Sequence, residues 1–324
     1  MLNTKANDKE WELKDGVLII HDGSVLGVER FACLDEVVKV SLPEGLKEIP
    51  DSAFWYDYNL KNINIPDSVE SIGSDAFEDC KSLKNIVLPD NLKNIGSSAF
   101  LSARLESVKI PENVKEIGDS AFASTGLKSI TLPENVKEIG VGVFSDCRDL
   151  REVAIESKQL AGIPMSAFAD CKNLEFVSLP ESIKYIDIRS FSGCESLSEI
   201  TIPATAHCGI YTAAFENCVN LEKVTLGVGV DAVEFDAFKN CKNLRRIDFA
   251  NDRPLLWYGT FSDISDEAVI GYKGREINVK DFREILSDLD GYPTRLSEKE
   301  IDDFLAKKEK EKKPEKKKAV YRGR

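Results

Sequence analysis

Leu83-Lys84-Asn85-Ile86-Val87-Leu88-Pro89-Asp90-Asn91-Leu92-Lys93-Asn94-Ile95-Gly96-Ser97-Ser98-Ala99-Phe100 carries the decisive pattern. Ile86 and Leu88 alternate with Asn85 and Val87, as a brief strand with one buried face requires. Pro89 has no N–H to continue a ladder, so the strand stops there and the chain turns. Leu92 and Ile95, three apart, then face inward from an opposite wall. Gly96 follows at once, and its place predicts a sharp bend through a left-handed conformation. Ala99-Phe100 completes the turn, with the small Ala permitting close contact between coils.

The unit repeats in both directions. Phenylalanine stands at 31, 54, 77, 100, 122, 144, 168, 191, 215, 238 and 261, at intervals of 22 to 24 residues. A period of this size marks a solenoid, in which no repeat can bury its own apolar face and neighbours supply the core. Eleven coils around a stacked Phe spine are expected. Proline recurs after the strand at Pro43, Pro66, Pro111, Pro133, Pro180 and Pro203, and the bend glycine at Gly73, Gly118 and Gly140. Glu156, Gly227 and Ala250 stand where proline is expected, and the segment 206–211 breaks the second apolar pair. Those coils should be looser.

The order Leu-x-x-Ile-x-Leu-Pro, Val-x-x-Ile-Gly, Ala-Phe-x-x-Cys-x-x-Leu resembles the BspA-like branch of bacterial leucine-rich repeats, over residues 31 to 261. The resemblance implies a repeat solenoid of the α/β leucine-rich-repeat type. Short parallel strands line one face, with turns, short strands or 3-10 segments elsewhere. Trp11 to Ile20, with the turn signal Asp15-Gly16 between apolar strands, looks like the hairpin that opens such arrays. The expected organisation is a hairpin cap at 1–30, a solenoid at 31–277, a helical cap at 278–306 and a basic disordered tail at 307–324.

The carboxyl-terminal cap is read from two patterns. Phe282, Ile285, Leu286 and Leu289 share one face of a helix over 278–289. Ser297 and Glu300 form a capping box for a second helix over 297–305, with Leu296 and Ile301 at the staple positions. An open solenoid end exposes core, so a terminal element must cover it.

Composition narrows function. An apolar fraction of 42% and a charged fraction of 31% exclude a wholly disordered chain, and nothing approaches the roughly 18 apolar residues that span a bilayer. Residues 307–324 hold ten Lys or Arg against three Glu, +7, which leaves −20 of the total −13 on residues 1–306. An acidic body repels phosphates, so nucleic acid or another anionic surface is a partner only through the basic tail.

Six of eight cysteines (Cys80, Cys147, Cys171, Cys194, Cys218, Cys241) lie three residues after a spine Phe, which reads as corner filling by a small hydrophobe. Disulfides are disfavoured by the intervening repeats that lack cysteine. With only His21 and His207, no zinc spacing, no nucleophile arrangement and no phosphate loop, the sequence predicts no metal, no cofactor, no small-molecule substrate and no enzyme.

Function is therefore expected on the outward positions of the strands, where the candidate contact residues are Asn85, Val87, Lys109, Thr131, Glu152, Phe176, Glu199, Thr201, Lys223 and Arg246. Residues 152 to 248 are the first choice, because they add an aromatic and an arginine, the types that most often anchor interfaces. The reading is a protein–protein interaction scaffold. With no apolar leader at residues 1–10 and no anchor, a cytoplasmic location is expected. The resemblance implies the alternative, a surface adhesin or host-factor binder outside the cell.

Overall fold

The structure, a computed structural model, describes residues 10–27, 29–204, 207–251, 254–257, 259–287, 294–295 and 297–312. The chain winds as a coil with three walls, repeated along a single axis. The first wall carries the strands that precede the prolines, from Lys39–Ser41 through Ser129–Leu132 and Glu199–Ile202 to Val269–Tyr272. Successive strands pair in parallel, Glu152 with Ser129, for example, and Lys223 with Arg246. The second wall carries two- to four-residue strands, from Glu48–Ile49 through Glu116–Ile117 to Leu255–Leu256, also parallel. Both inward sets expected from the repeat are buried: Ile86 and Leu88 from one wall, Leu92 and Ile95 from the other.

The third wall is made of turns. The residues two before and two after each spine Phe adopt positive φ, as Ser98 (52°) and Ser102 (57°) do around Phe100. In the coils of Phe54 to Phe215 this left-handed alternation aims three N–H groups at the next coil: Ser98, Phe100 and Ser102 donate to the carbonyls of Asp119, Ala121 and Ala123 at 2.7, 2.8 and 2.9 Å. Backbone donors that would be orphaned in a buried turn are thereby satisfied without a strand or helix. Among the described residues, the coils contain no α-helix.

The Phe spine is continuous where its rings stack. From Phe54 to Phe238, centroids of successive rings are 5.2–5.6 Å apart and interplanar angles stay within 14°. An edge-on aromatic closes each end: Trp11 on Phe31 at 5.7 Å and 80°, and Phe282 on Phe261 at 5.7 Å and 85°. Offset and edge-to-face rings suit the aromatic quadrupole, and both caps deny water the last ring face.

Each recurring cysteine Sγ donates to the spine carbonyl one coil back, Cys147 to Phe122 and Cys171 to Phe144 at 3.1 Å. Burial pushes the Cys147 thiol up to about 11, which keeps it protonated and inert. All eight cysteines are unbridged. Asp57 takes this position in the second coil. Its Oδ1 accepts the Leu34 N–H at 2.6 Å, while Oδ2 is buried with no partner among the described residues. Burial pushes its carboxyl up to about 8.

The glycines correct one expectation. None of Gly73, Gly96, Gly118 and Gly140 has a positive φ. They are needed for close approach instead: a Cβ on Gly96 would lie 2.5 Å from the Gly73 carbonyl carbon, and one on Gly140 2.3 Å from the Asp119 nitrogen. The expected irregularity over 206–211 is a shift in register between Cys208 and Gly209, where that strand pairs with Val230–Val233.

Antiparallel pairs close both ends of the first wall. Trp11–Lys14 pairs with Val17–Ile20 through Asp15 and Gly16, both at positive φ, as a tight hairpin turn of this type requires. At the far end Val269–Tyr272 pairs with Arg275–Asn278. Trp11–Lys14 and Arg275–Asn278 are thus the outermost strands of that wall. Helix α1 (Val279–Ser287) then seats Phe282, Ile285 and Leu286 against the last coil, and α2 (Glu298–Lys312) buries Ile301. The capping box forms in both directions: Glu300 N–H to Ser297 Oγ at 3.3 Å, and Ser297 N–H to Glu300 Oε2 at 2.7 Å. Leu289, Leu296 and residues 313–324 lie outside the described residues. Residues 307–312, expected in the tail, continue α2, because Lys308 reaches Asp281 at 3.2 Å and Glu284 at 2.6 Å on α1.

Candidate functional site

On the first wall, alternation sends every second side chain of a strand outward. Pairing aligns these into two rows. One runs Ser129, Glu152, Phe176 and, in the next sheet, Glu199, Lys223, Arg246. The other runs Thr131, Ala154, Ser178 and then Thr201, Thr225, Asp248. Strand pairing lapses between Phe176–Ser178 and Glu199–Ile202, which belong to separate sheets. Across that break lies a hollow of about 300 Å³ lined by Phe176, Ser178, Glu199, Thr201, Lys223 and Thr225. A second hollow, of about 310 Å³, is bounded by Lys109, Glu112, Ser129 and Thr131.

The candidate residues divide accordingly. Phe176, Glu199, Thr201 and Lys223 share the first hollow, with Glu152 beside Phe176 in register. Lys109 and Thr131 share the second. Asn85 accepts the Ser107 hydroxyl at 3.1 Å, and Val87, 82% exposed, stands apart from both hollows. Arg246 is already engaged within the fold: Nε donates to Asp248 Oδ1 at 2.8 Å and Nη1 to Glu276 at 2.8 Å, which raises its basicity further.

Charge pairing between coils is uneven along the array. Several ionic side chains are tied together. Lys84 and Lys128 flank Glu106 at 2.9 and 3.5 Å and lower its carboxyl, with Lys84 the larger cause. On the second wall Lys93 and Lys47 hold Glu70 down to about 2. Arg151 meets Glu175 at 2.7 Å. Among the described residues, no ion pair engages Glu152, Glu199 or Lys223. Phe176, 53% exposed, stands between two carboxylates, Glu152 and Glu199, with Lys223 one strand further on.

Three features were not read from the sequence. A shallow depression on the second wall gathers Asn94, Glu116, Asp119 and Glu138. Trp55, Tyr56 and Tyr58 cluster edge-on in the second coil, with Lys81 5.0 Å over the Tyr58 ring. An apolar stripe runs along one corner of the later coils. The depression and the stripe need alignment across coils of unequal length, which the repeat of 22 to 24 residues conceals, whereas the aromatic cluster was legible as three residues within one coil. No group of three or more His, Cys, Asp or Glu among the described residues is placed to hold a metal, and no helix among them is long and apolar enough to cross a membrane.

The family model described as BspA type leucine rich repeat region (6 copies) matches residues 47–175 and 161–271. Among solved structures, the chain is similar to a leucine-rich repeat protein from Eubacterium ventriosum, at 21% identity over 79% of this chain and 92% of that one, TM-score 0.46. It is similar to a leucine rich cell surface protein from Faecalibacterium prausnitzii, at 23% identity over 72% and 79%, TM-score 0.42. The leucine rich repeat protein of T. pallidum gives 28% identity over 74% and 90%, TM-score 0.40. A comparison with curated proteins gave no match. With the repeat signature legible in the coils, their buried spine in place and a family model covering most of the array, the chain belongs to the BspA type leucine rich repeat family.

Proposed function

We propose that this protein is a non-enzymatic interaction scaffold that holds a protein partner at the first-wall hollow of Phe176, Glu199, Thr201 and Lys223. One observation carries the reading: an exposed aromatic ring shares a hollow with a carboxylate and an ammonium group that no ion pair engages among the described residues. A ring supplies contact area at low entropic cost, and uncommitted charges add orientation rather than bulk affinity. Glu152 and, in the neighbouring hollow, Lys109 and Thr131 extend the contact; Asn85 and Val87 lie at its margin. Arg246, spent on Asp248 and Glu276, acts as a brace.

In this reading the hairpin before residue 31 and the helices after 277 close the array. A pull-down from source cells with the intact chain and with Phe176→Ala tests it. The expected result is a partner band lost or reduced at least tenfold with Phe176→Ala; an undiminished band contradicts the site. Fractionation of the same cells distinguishes the cytoplasmic scaffold from a surface adhesin: native protein recovered at the cell exterior supports the latter.

A further inference from the structure

The residue three places before each spine Phe forms a column along the corner between the second and third walls. Hydrogen bonds between coils fix it. The N–H of the following residue donates to the column carbonyl one coil on: Ser52 to Ser74, Ser98 to Asp119, Ser120 to Val141, Gly142 to Met165, Ser166 to Ile188 and Ala213 to Phe235, at 2.7–3.1 Å. Through the early coils the column reads Asp51, Ser74, Ser97, Asp119. It then becomes Val141, Met165, Ile188, Thr212, Phe235, with Tyr211 beside Thr212. Val141, Met165 and Ile188 are each 40% exposed, Tyr211 36% and Phe235 44%.

The early coils show that the framework does not need an apolar residue here. Asp51 Oδ1 accepts the Ser74 N–H at 2.6 Å and Asp119 Oδ1 the Val141 N–H at 2.7 Å, so a carboxylate serves the corner well. Apolar side chains in successive coils keep a continuous stripe in water, and contiguous exposed apolar surface of this kind marks an interaction site.

The stripe has one charged edge. Among the described residues, Asp187 and Glu234, on its second-wall side, accept only from uncharged donors: the Ile188 N–H at 2.7 Å, and the N–H and hydroxyl of Thr212, one coil back, at 3.1 and 3.0 Å. No cation pairs with either among the described residues. On the opposite edge charges cancel, Arg189 with Glu216 at 4.0 Å and Lys239 with Asp236 at 3.1 Å. The spacing selects the occupant. Successive coils stand about 4.8 Å apart where their strands pair, and ring centroids along the adjoining spine from Phe144 to Phe238 are 5.2–5.5 Å apart. A helix turn, which rises about 5.4 Å, stays close to that step. A strand repeats on one face every ~6.7 Å and drifts out of register within two coils.

We propose that this stripe docks one amphipathic helix of another protein, of three to four turns, lying along the solenoid axis with Lys or Arg on the edge that faces Asp187 and Glu234. It is a second contact surface, independent of the Phe176 hollow. The test uses the full chain and two fluorescein-labelled synthetic peptides of sixteen residues. One places Leu at helical spacing with Lys along one flank; the other scrambles the same composition. Fluorescence anisotropy should show the ordered peptide bound at least tenfold tighter than the scrambled one. Met165→Asp with Ile188→Asp, and the milder Met165→Ala with Ile188→Ala, should weaken it, the former tenfold or more. Val87→Asp, on the first wall, should leave it unchanged. Asp187→Asn with Glu234→Gln should lower both affinity and its salt dependence. Equal binding of the two peptides, or binding indifferent to the Met165 and Ile188 changes, overturns the proposal. So does sedimentation of the intact chain as a dimer that Met165→Asp with Ile188→Asp converts to monomer, since a second copy is then the occupant.

Discussion

Coils from Phe54 to Phe122 and coils from Phe144 to Phe238 bury the same stacked rings, yet they build the corner ahead of those rings differently. In the earlier coils Gly73, Gly96, Gly118 and Gly140 let backbones touch, and the next residue is Ser, Asp or, at the changeover, Val141. In the later coils the glycine place is held by Pro164, Asp187, Tyr211 and Glu234, and the residue after it is mostly large and apolar. The two halves share what faces inward and diverge in what faces out. A solenoid tolerates this because each coil touches only its neighbours, so a corner can be closed in one stretch and made into a display surface in another.

The largest expected effects probe what the halves share. Phe122→Ala and Phe168→Ala, one in each half, should each cost about 3–5 kcal/mol in urea unfolding through the cavity left in the spine. A marked inequality would mean that the halves do not share one core. Smaller, and confined to the earlier half, is Gly96→Ala. Its Cβ meets the Gly73 backbone at 2.5 Å, so overpacking should cost about 1–3 kcal/mol, whereas Asp187→Ala at the equivalent later corner should cost under about 1 kcal/mol.

Asp57 sharpens the comparison through pH. Its folded carboxyl, pushed up to about 8 by burial, lies above the ordinary value of 3.8, so the folded chain holds one more proton than the unfolded chain between the two. Stability from this group is complete below about 4 and is lost as pH rises through about 8. Asp35 adds to the upward push, and Cys33 and Cys80 face the same carboxylate. Asp57→Cys, the residue at this place in most later coils, should remove that slope and gain on the order of 1 kcal/mol at pH 8. Thermal melts from pH 5 to 9 check it; parallel profiles for the two proteins would contradict it. Smallest of all, Lys109→Ala on the first wall should shift stability by no more than about 0.5 kcal/mol.

The repeat made the inward half of this fold readable. Phe, Ile, Leu and Val recur because every coil must fill the same volume, and their burial follows from spacing alone. The glycines were read correctly as corners and wrongly as left-handed, since close approach and positive φ select the same residue. The left-handed positions fell instead mostly to Ser, Asp and Asn beside the Phe residues, with Gly at 142, 193 and 259 and with Glu29, Cys33, Tyr56, Arg189 and Ala213 as exceptions. Outward positions carry no such constraint. Phe176 and Lys223 could be placed on the first wall, but the hollow they share depends on a lapse in strand pairing that no single repeat encodes. Arg246 looked like an anchor until Asp248 and Glu276 were seen to hold it.

A photo-crosslinking amino acid placed at position 176 and, separately, at position 87 measures the functional claim most directly, because both side chains are exposed and apolar on the same wall. Irradiation in source cells should yield a discrete protein adduct from position 176 and none of comparable yield from position 87. Adducts of equal yield and identity from both positions, or from position 87 alone, would contradict a contact centred on Phe176.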